Sequence, residues 1–298
     1  MSTPTDTAYI IGVIRFQEQQ LLGADEYTRI IEAANNEDAI AVLTDTPYGA
    51  WLHEYTASQA MAAMTERLGA LQMWLAHSLV DPIVLAFLQV RYDSLNVATA
   101  LLDHQLGKKE IGELSRLGGI DPLLVDSVVV NRAGYEQLPH DWSQFISTQQ
   151  ASLPTTNAAT ATWKNGLLER SEEHTIALMQ QLASTDLTRW YTDFTKRLLA
   201  DNKRRRRVSA QGSPTTTRTA TPHLAPADFT SEREWDNELV THLRQYNADP
   251  TGYDPIIAYW LTVELEVKTI RLVLAAKLQG SSPDAIRPLI RSYVHQVA

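Results

Sequence analysis

The chain has 298 residues, 44% of them hydrophobic, with a formal net charge of −9 and no cysteine. That apolar content excludes wholesale disorder, and the length suits about two domains or one elongated one. Without cysteine there is no disulfide framework, no thiolate zinc site and no cysteine nucleophile.

Met1–Thr7 is polar, with Asp6 as its charged side chain, and does not read as a secretory signal. Ile10, Val13, Ile14, Gln17 and Leu21 then fit a first helix. A short helix over Glu26–Ala34 turns Tyr27, Ile30 and Ile31 inward. Asn35 or Asn36 caps the next, which carries Ala39, Ile40, Val42 and Leu43. Pro47 and Gly49 mark a break. Met61, Met64, Leu68, Leu71 and Leu75 then follow a 3-4-3-4 spacing, one stripe of a long helix. A second long helix begins at Pro82, suited to a first turn after Asp81, and stops at Gly107. Leu85, Leu88, Tyr92, Leu95, Leu102 and Leu106 share one side of it, and the two helices are expected to pack as an antiparallel pair. Val128–Val130 is the best strand candidate and equally suits a helix end. Gln149–Thr162, rich in Thr, Ala and Asn, interrupts the helical pattern.

The most apolar stretches are Trp74–Val90, broken by His77, Asp81 and Pro82, and Ile256–Ala276, broken by Glu264, Glu266 and Lys268. Neither reads as a membrane span. Residues 203–227 hold six cations (Lys203, Arg204, Arg205, Arg206, Arg207 and Arg218) and no acid, which leaves −15 on the remainder. Ten of its twenty-five residues are Ser, Thr or Pro, so it reads as a mobile linker that cannot bury enough surface to order itself. An internal repeat is visible at a shift of 173 residues. It aligns Phe87 with Trp260, Asp93 with Glu266, Leu101 with Leu274 and Gly107 with Gly280, although any two amphipathic helices ending in glycine share part of this register.

Recognisable catalytic and cofactor motifs are absent. Gly107-Lys108-Lys109 lacks the upstream glycine and the hydroxyl of a phosphate-binding loop, and no GxGxxG, GxSxG or HExxH occurs. His174, beside Glu172 and Glu173, reads as a surface helix residue. Glu264 and Glu266 diverge by about 200° on a helix and do not form an acid–base pair; an ion pair with Lys268 or another helix explains Glu264. The run Lys203–Arg207 is the single feature suggesting nucleic acid, anionic lipid or an acidic partner. No catalytic centre, cofactor, metal or small-molecule substrate is expected, which favours a structural or adaptor role. The alternative is a cytosolic helical protein that binds nucleic acid through its basic linker.

Three segments together resemble the C-type subunit of the V/A-type ATPases, equivalent to the d-type subunit of the eukaryotic vacuolar enzyme. The first runs from Ala8-Tyr9 to Leu52, with Arg15, Glu18, Leu21-Leu22, Tyr27, Asn36–Ala41 and the step Thr46-Pro47-Tyr48-Gly49. The second is Arg91-Tyr92-Asp93-Ser94-Leu95-Asn96, similar to the family's YDxxN pattern. The third is Phe229–Val294, with Glu232-Arg233, Asp236, Pro255–Tyr259, Glu264-Leu265-Glu266, Ile270-Arg271, Lys277, Gly280 and Ile286-Arg287. Leu114–Asn202 matches only loosely, Thr269 replaces an Asn more common in the family, and the basic Ser/Thr/Pro linker reads as specific to this branch.

The resemblance implies an all-α, funnel-like assembly of about three helical units, near 6–80, 81–202 and 228–298, with 203–227 as the linker. It further implies a non-catalytic rotor part, peripheral at the cytoplasmic face of a membrane. The implied partners are the central-stalk subunits and the proteolipid ring, with no nucleic acid. Arg15, Asp93, Asn96, Glu266 and Arg271 are then candidates for partner contact or for helix packing. Lys203, Arg204, Arg205, Arg206 and Arg207 are candidates for contact with the membrane or an acidic partner.

Overall fold

Helix-period apolar spacing yields helices throughout, and no strand occurs among the described residues. The computed structural model describes residues 7–52, 59–78, 81–108, 112–154, 157–211 and 226–290. In chain order the first helices are α1 (Thr7–Glu18), α2 (Ala24–Glu32), α3 (Asn36–Thr44), α4 (Gly49–Leu52) and α5 (Ala60–Ser78). Then come α6 (Pro82–Gln105), α7 (Pro122–Asp126), α8 (His140–Ala151), α9 (Asn157–Leu182) and α10 (Asp186–Gln211). The last are α11 (Pro226–Leu243), α12 (Asp254–Leu278) and α13 (Pro283–Ile286). These form two compact units, Met1–Val80 with Thr215–Ala298, and Asp81–Pro214. The segments expected as first and third helical units thus pack into one body.

In the first unit α12 is the central element. Ile256, Ile257, Ala258, Tyr259 and Trp260 are buried in succession, so the helix is apolar on every side near its start. A helix of that kind must be surrounded, and α1, α3, α5 and α11 pack on it. The α5 stripe faces inward as its spacing requires, through Met64, Leu68, Leu71 and Leu75; the Met61 side chain lies outside the described residues. Asn35 caps α3 by accepting from the Asp38 N–H at 2.8 Å.

In the second unit α6 packs chiefly on α9, and α10 packs on α9 in turn. Small hydroxyl side chains let α6 and α9 approach closely. Ser94 meets Ser171 at 2.8 Å and accepts from the Thr175 hydroxyl at 2.6 Å, so these buried groups satisfy one another. Asp81 caps α6 by accepting from the Ile83 N–H at 2.9 Å, with Pro82 in the first turn.

Five expectations are corrected. First, α5 packs on α12 and α6 on α9, so the two helices expected as an antiparallel pair belong to separate units. Second, the buried face of α6 is not the leucine stripe. Of that stripe Leu88 is buried, Leu85, Tyr92 and Leu102 are half-buried, and Leu95 and Leu106 are 60% and 52% exposed, whereas Val84, Phe87, Val90, Val97 and Leu101 are buried with Asp93, Ser94 and Asn96. Apolar residues lie on both sides of this helix, and polar bonds decide which side turns inward. Third, of the two readings left open for Val128–Val130 the strand falls and the helix end holds: they belong to a π-helical turn, Ser127–Asn131, that continues α7. Fourth, Asn157–Thr162 open α9 rather than interrupting the helical pattern. Fifth, the segment expected as linker begins in helix. Residues 203–211 complete α10, where Lys, Arg, Ala and Gln are good helix formers, and residues 212–225 lie outside the described residues.

Candidate interface and packing residues

Glu266 sits midway along α12, and its buried carboxylate gathers three elements. Oε2 accepts from the Leu22 N–H at 2.8 Å, in the turn between α1 and α2. Oε1 accepts from the Tyr48 hydroxyl at 2.6 Å and from Arg67 of α5 at 3.1 Å. The Arg67 guanidinium lies 4.2 Å from the centre of the Tyr48 ring, a cation–π contact within the same cluster. Burial pushes the Glu266 carboxyl above its usual range, opposed by Arg67, the Tyr48 hydroxyl and the Leu22 N–H. For Arg67 burial works against the cation, but Tyr48, Glu266 and Tyr259 overcome it and raise its pKa. Tyr48, fully buried, titrates well above the ordinary phenol because of burial first and the Glu266 charge second.

The step Thr46-Pro47-Tyr48-Gly49 exists to aim that tyrosine. A Cβ on Gly49 would lie 2.2 Å from the Thr44 carbonyl oxygen, so only glycine lets α4 start so close to the end of α3. Arg67 and Tyr259 also line a cleft of about 280 Å³ with Trp51, Trp74 and Gln17.

Arg15 ends α1. It forks onto Glu18 at 2.7 and 2.8 Å and donates to the carbonyl oxygens of Tyr246 and Asp249, both at 2.9 Å, in the turn after α11. Lys277, near the end of α12, is buried and donates to the Ala33 carbonyl that closes α2. Burial lowers its pKa. Arg271 is exposed on α12. Lys268 reaches Asp236 of α11 at 3.1 Å.

In the second unit Asp93 and Asn96 lie on one face of α6 and hold the chain that returns over it. Asp93 accepts from the Ile120 N–H at 2.9 Å. Asn96 bonds Ser115 reciprocally, accepting its N–H and donating to its carbonyl, each at 2.7 Å. Asp103, two turns further on, accepts from the Gly112 N–H at 2.8 Å and pairs with Lys108 at 2.6 Å. Burial holds the Asp93 carboxyl at about 6, whereas Lys108 keeps Asp103 below the usual carboxylate range.

The basic run is partly neutralised where it is described. Lys203 pairs with Glu169 and Glu173 of α9 at 3.0 and 3.4 Å, and Arg204 and Arg205 pair with Asp201 at 2.6 and 2.7 Å. The Arg206 and Arg207 side chains lie outside the described residues. His174 is not a plain surface residue: its ring stacks on Phe145 at 4.6 Å and meets the edge of Trp142 at 4.7 Å, and burial lowers its pKa. Of the five candidate positions, Asp93 and Asn96 lie together on α6 of the second unit, and Arg15, Glu266 and Arg271 belong to the first. Sequence reasoning missed Arg67 and Asp103. Their signal was a charge set among apolar stripe positions, Arg67 before Leu68 and Asp103 after Leu102.

Among the described residues no group of three His, Asp or Glu could hold a metal ion, and no helix is long and apolar enough to cross a membrane. Residues 10–145, from α1 into α8, match the family model described as ATP synthase (C/AC39) subunit, the family of the C/d-type subunits of V/A-type ATPases. The match takes in Arg15, Tyr48, Arg67, Asp93, Asn96 and Asp103 and ends before α12. No curated protein matches the chain significantly.

Proposed function

With residues 10–145 identified as belonging to the C/AC39 family of V/A-type ATPase subunits, we propose that the chain is the non-catalytic rotor part joining the central stalk to the membrane proteolipid ring. It transmits torque between ATP hydrolysis or synthesis and ion transport. The family match carries this reading. The long helices support it, because an adaptor under torque needs elements that do not slide, and Glu266, Asp93 and Asn96 pin helices to turns by buried polar bonds.

The chain would lie peripherally at the cytoplasmic face and dock through protein contacts, since its acidic balance of −9 does not favour anionic lipid. Lys203–Arg207 would contribute at headgroups or an acidic partner only with the charge left after Glu169, Glu173 and Asp201 are satisfied. Arg271, exposed, is the candidate best placed for partner contact.

The test is purification from native membranes through a tagged copy of the chain. Stalk and proteolipid subunits are expected to co-purify, and the isolated chain is expected to hydrolyse no ATP. Recovery without either stalk or ring would overturn the proposal.

A further inference from the structure

Residues 112–120 lie along α6 with few apolar anchors, chiefly Leu117 and Ile120. Their remaining attachments are polar: Gly112 to Asp103, Ser115 to Asn96, and Gly119 and Ile120 to Asp93. At Asp93 the fit is closest. A Cβ on Gly118 would stand 2.3 Å from its Oδ1, so the segment presents bare backbone to a buried carboxyl.

No cation accompanies that carboxyl among the described residues. Arg91 of α6 turns to Tyr191 of α10, and Lys108 pairs with Asp103. Asp121 caps α7 through the Leu123 N–H, and Glu113 and Arg116 lie toward solvent on the segment. What acts on Asp93 is burial, opposed by the backbone N–H groups of Gly119 and Ile120. An ionised group there is desolvated without an opposite charge, a state in which a neutral carboxyl is favoured.

We propose that residues 112–120 form a latch on α6 that closes as Asp93 takes up a proton from solvent and loosens as Asp93 ionises. In the neutral form one oxygen still accepts from the backbone. Gln89 stands one turn earlier on α6, and its amide oxygen and the Asp93 Oδ2 lie 3.0 and 3.4 Å from where a Cβ on Gly119 would stand.

The sign follows from linkage. The closed segment holds Asp93 at about 6, against 3.8 for a solvated carboxyl. Closing therefore takes up a proton, is favoured as pH falls through 6, and has its full gain below about 4. The closing equilibrium changes by about a hundredfold over that range. Asp103, held low by Lys108, stays ionised through most of it.

Hydrogen exchange of the full chain tests this, with amide rates in 112–120 corrected for their intrinsic pH dependence. Protection is expected to rise about tenfold from pH 7.5 to 5 in the wild type and to lose that dependence in Asp93→Asn. Asp103→Asn is expected to keep the dependence while weakening protection at Gly112. Flat protection in the wild type overturns the latch, and so does an unchanged pH dependence in Asp93→Asn. Should Asp93→Asn fail to fold, the wild-type profile alone decides.

Discussion

Replacing Glu266 by Ala removes the acceptor for three donors at once: the Leu22 N–H, the Tyr48 hydroxyl and the Arg67 guanidinium. Arg67 dominates the cost, because a buried cation whose partner is deleted typically loses about 3–5 kcal/mol. The adjacent cleft of about 280 Å³ is lined by Arg67 and can bring water to it, which places that part near the lower limit. Two orphaned donors add about 1 kcal/mol each, so Glu266→Ala is expected to destabilise the first unit by about 4–5 kcal/mol. Glu266→Gln keeps an acceptor oxygen but not the charge, and about half that loss is expected. Urea unfolding followed by tryptophan fluorescence measures both. A loss below about 1 kcal/mol for Glu266→Ala would show that the cluster does not hold the unit together.

Arg67→Met strands the carboxylate instead. With its main charged counterweight gone, Glu266 moves further up in pKa, so the native state takes up a proton that the unfolded chain does not. The variant's deficit should shrink from pH 8 to pH 5, and unfolding midpoints showing the same deficit at both values would contradict this. Gly118→Ala forces a Cβ to within 2.3 Å of Asp93 Oδ1 and should cost about 1–3 kcal/mol by thermal unfolding. An unchanged midpoint would mean the close approach has no consequence. Arg271→Glu should leave stability within about 0.5 kcal/mol, since the side chain is exposed. Its effect is expected in co-purification with stalk or ring, and a folding defect would place Arg271 in the packing instead.

The helical class was legible because apolar spacing near 3.6 residues recurs along the chain; α2 and α5 turn inward the residues their patterns select, and α3 does so with Ala39 and Leu43. The face of α6 was not legible. Its stripe of Leu85, Leu88, Tyr92, Leu95, Leu102 and Leu106 follows the helical period, yet only Leu88 of it is buried, because Asp93, Ser94 and Asn96 need partners away from water and take the inward side with them. The same limit hid Arg67, since its role depends on a carboxylate 199 residues later in the chain. Composition makes Lys203–Gln211 look like a solvated linker, whereas Glu169, Glu173 and Asp201 supply local charges that let this run continue as helix.

Several polar ties in each unit share one pattern, and it bears on how variants are interpreted. Each joins a helix side chain to the backbone of a turn: Glu266 to Leu22, Lys277 to Ala33, Arg15 to Tyr246 and Asp249, Asp93 to Ile120, Asn96 to Ser115. A turn brings backbone groups inward without helix partners of their own, and a side chain from a rigid helix can satisfy them where water cannot enter. Charge reversal at the charged residues of this set, or Asn96→Ala, therefore frees a turn before it alters a surface. Failure of such a variant to join the complex reports a displaced turn, which hydrogen exchange at Leu22, Ser115 or Ile120, the amides held by Glu266, Asn96 and Asp93, detects in the isolated chain. Loss of assembly with those amides still protected is the one outcome that assigns the residue to an interface.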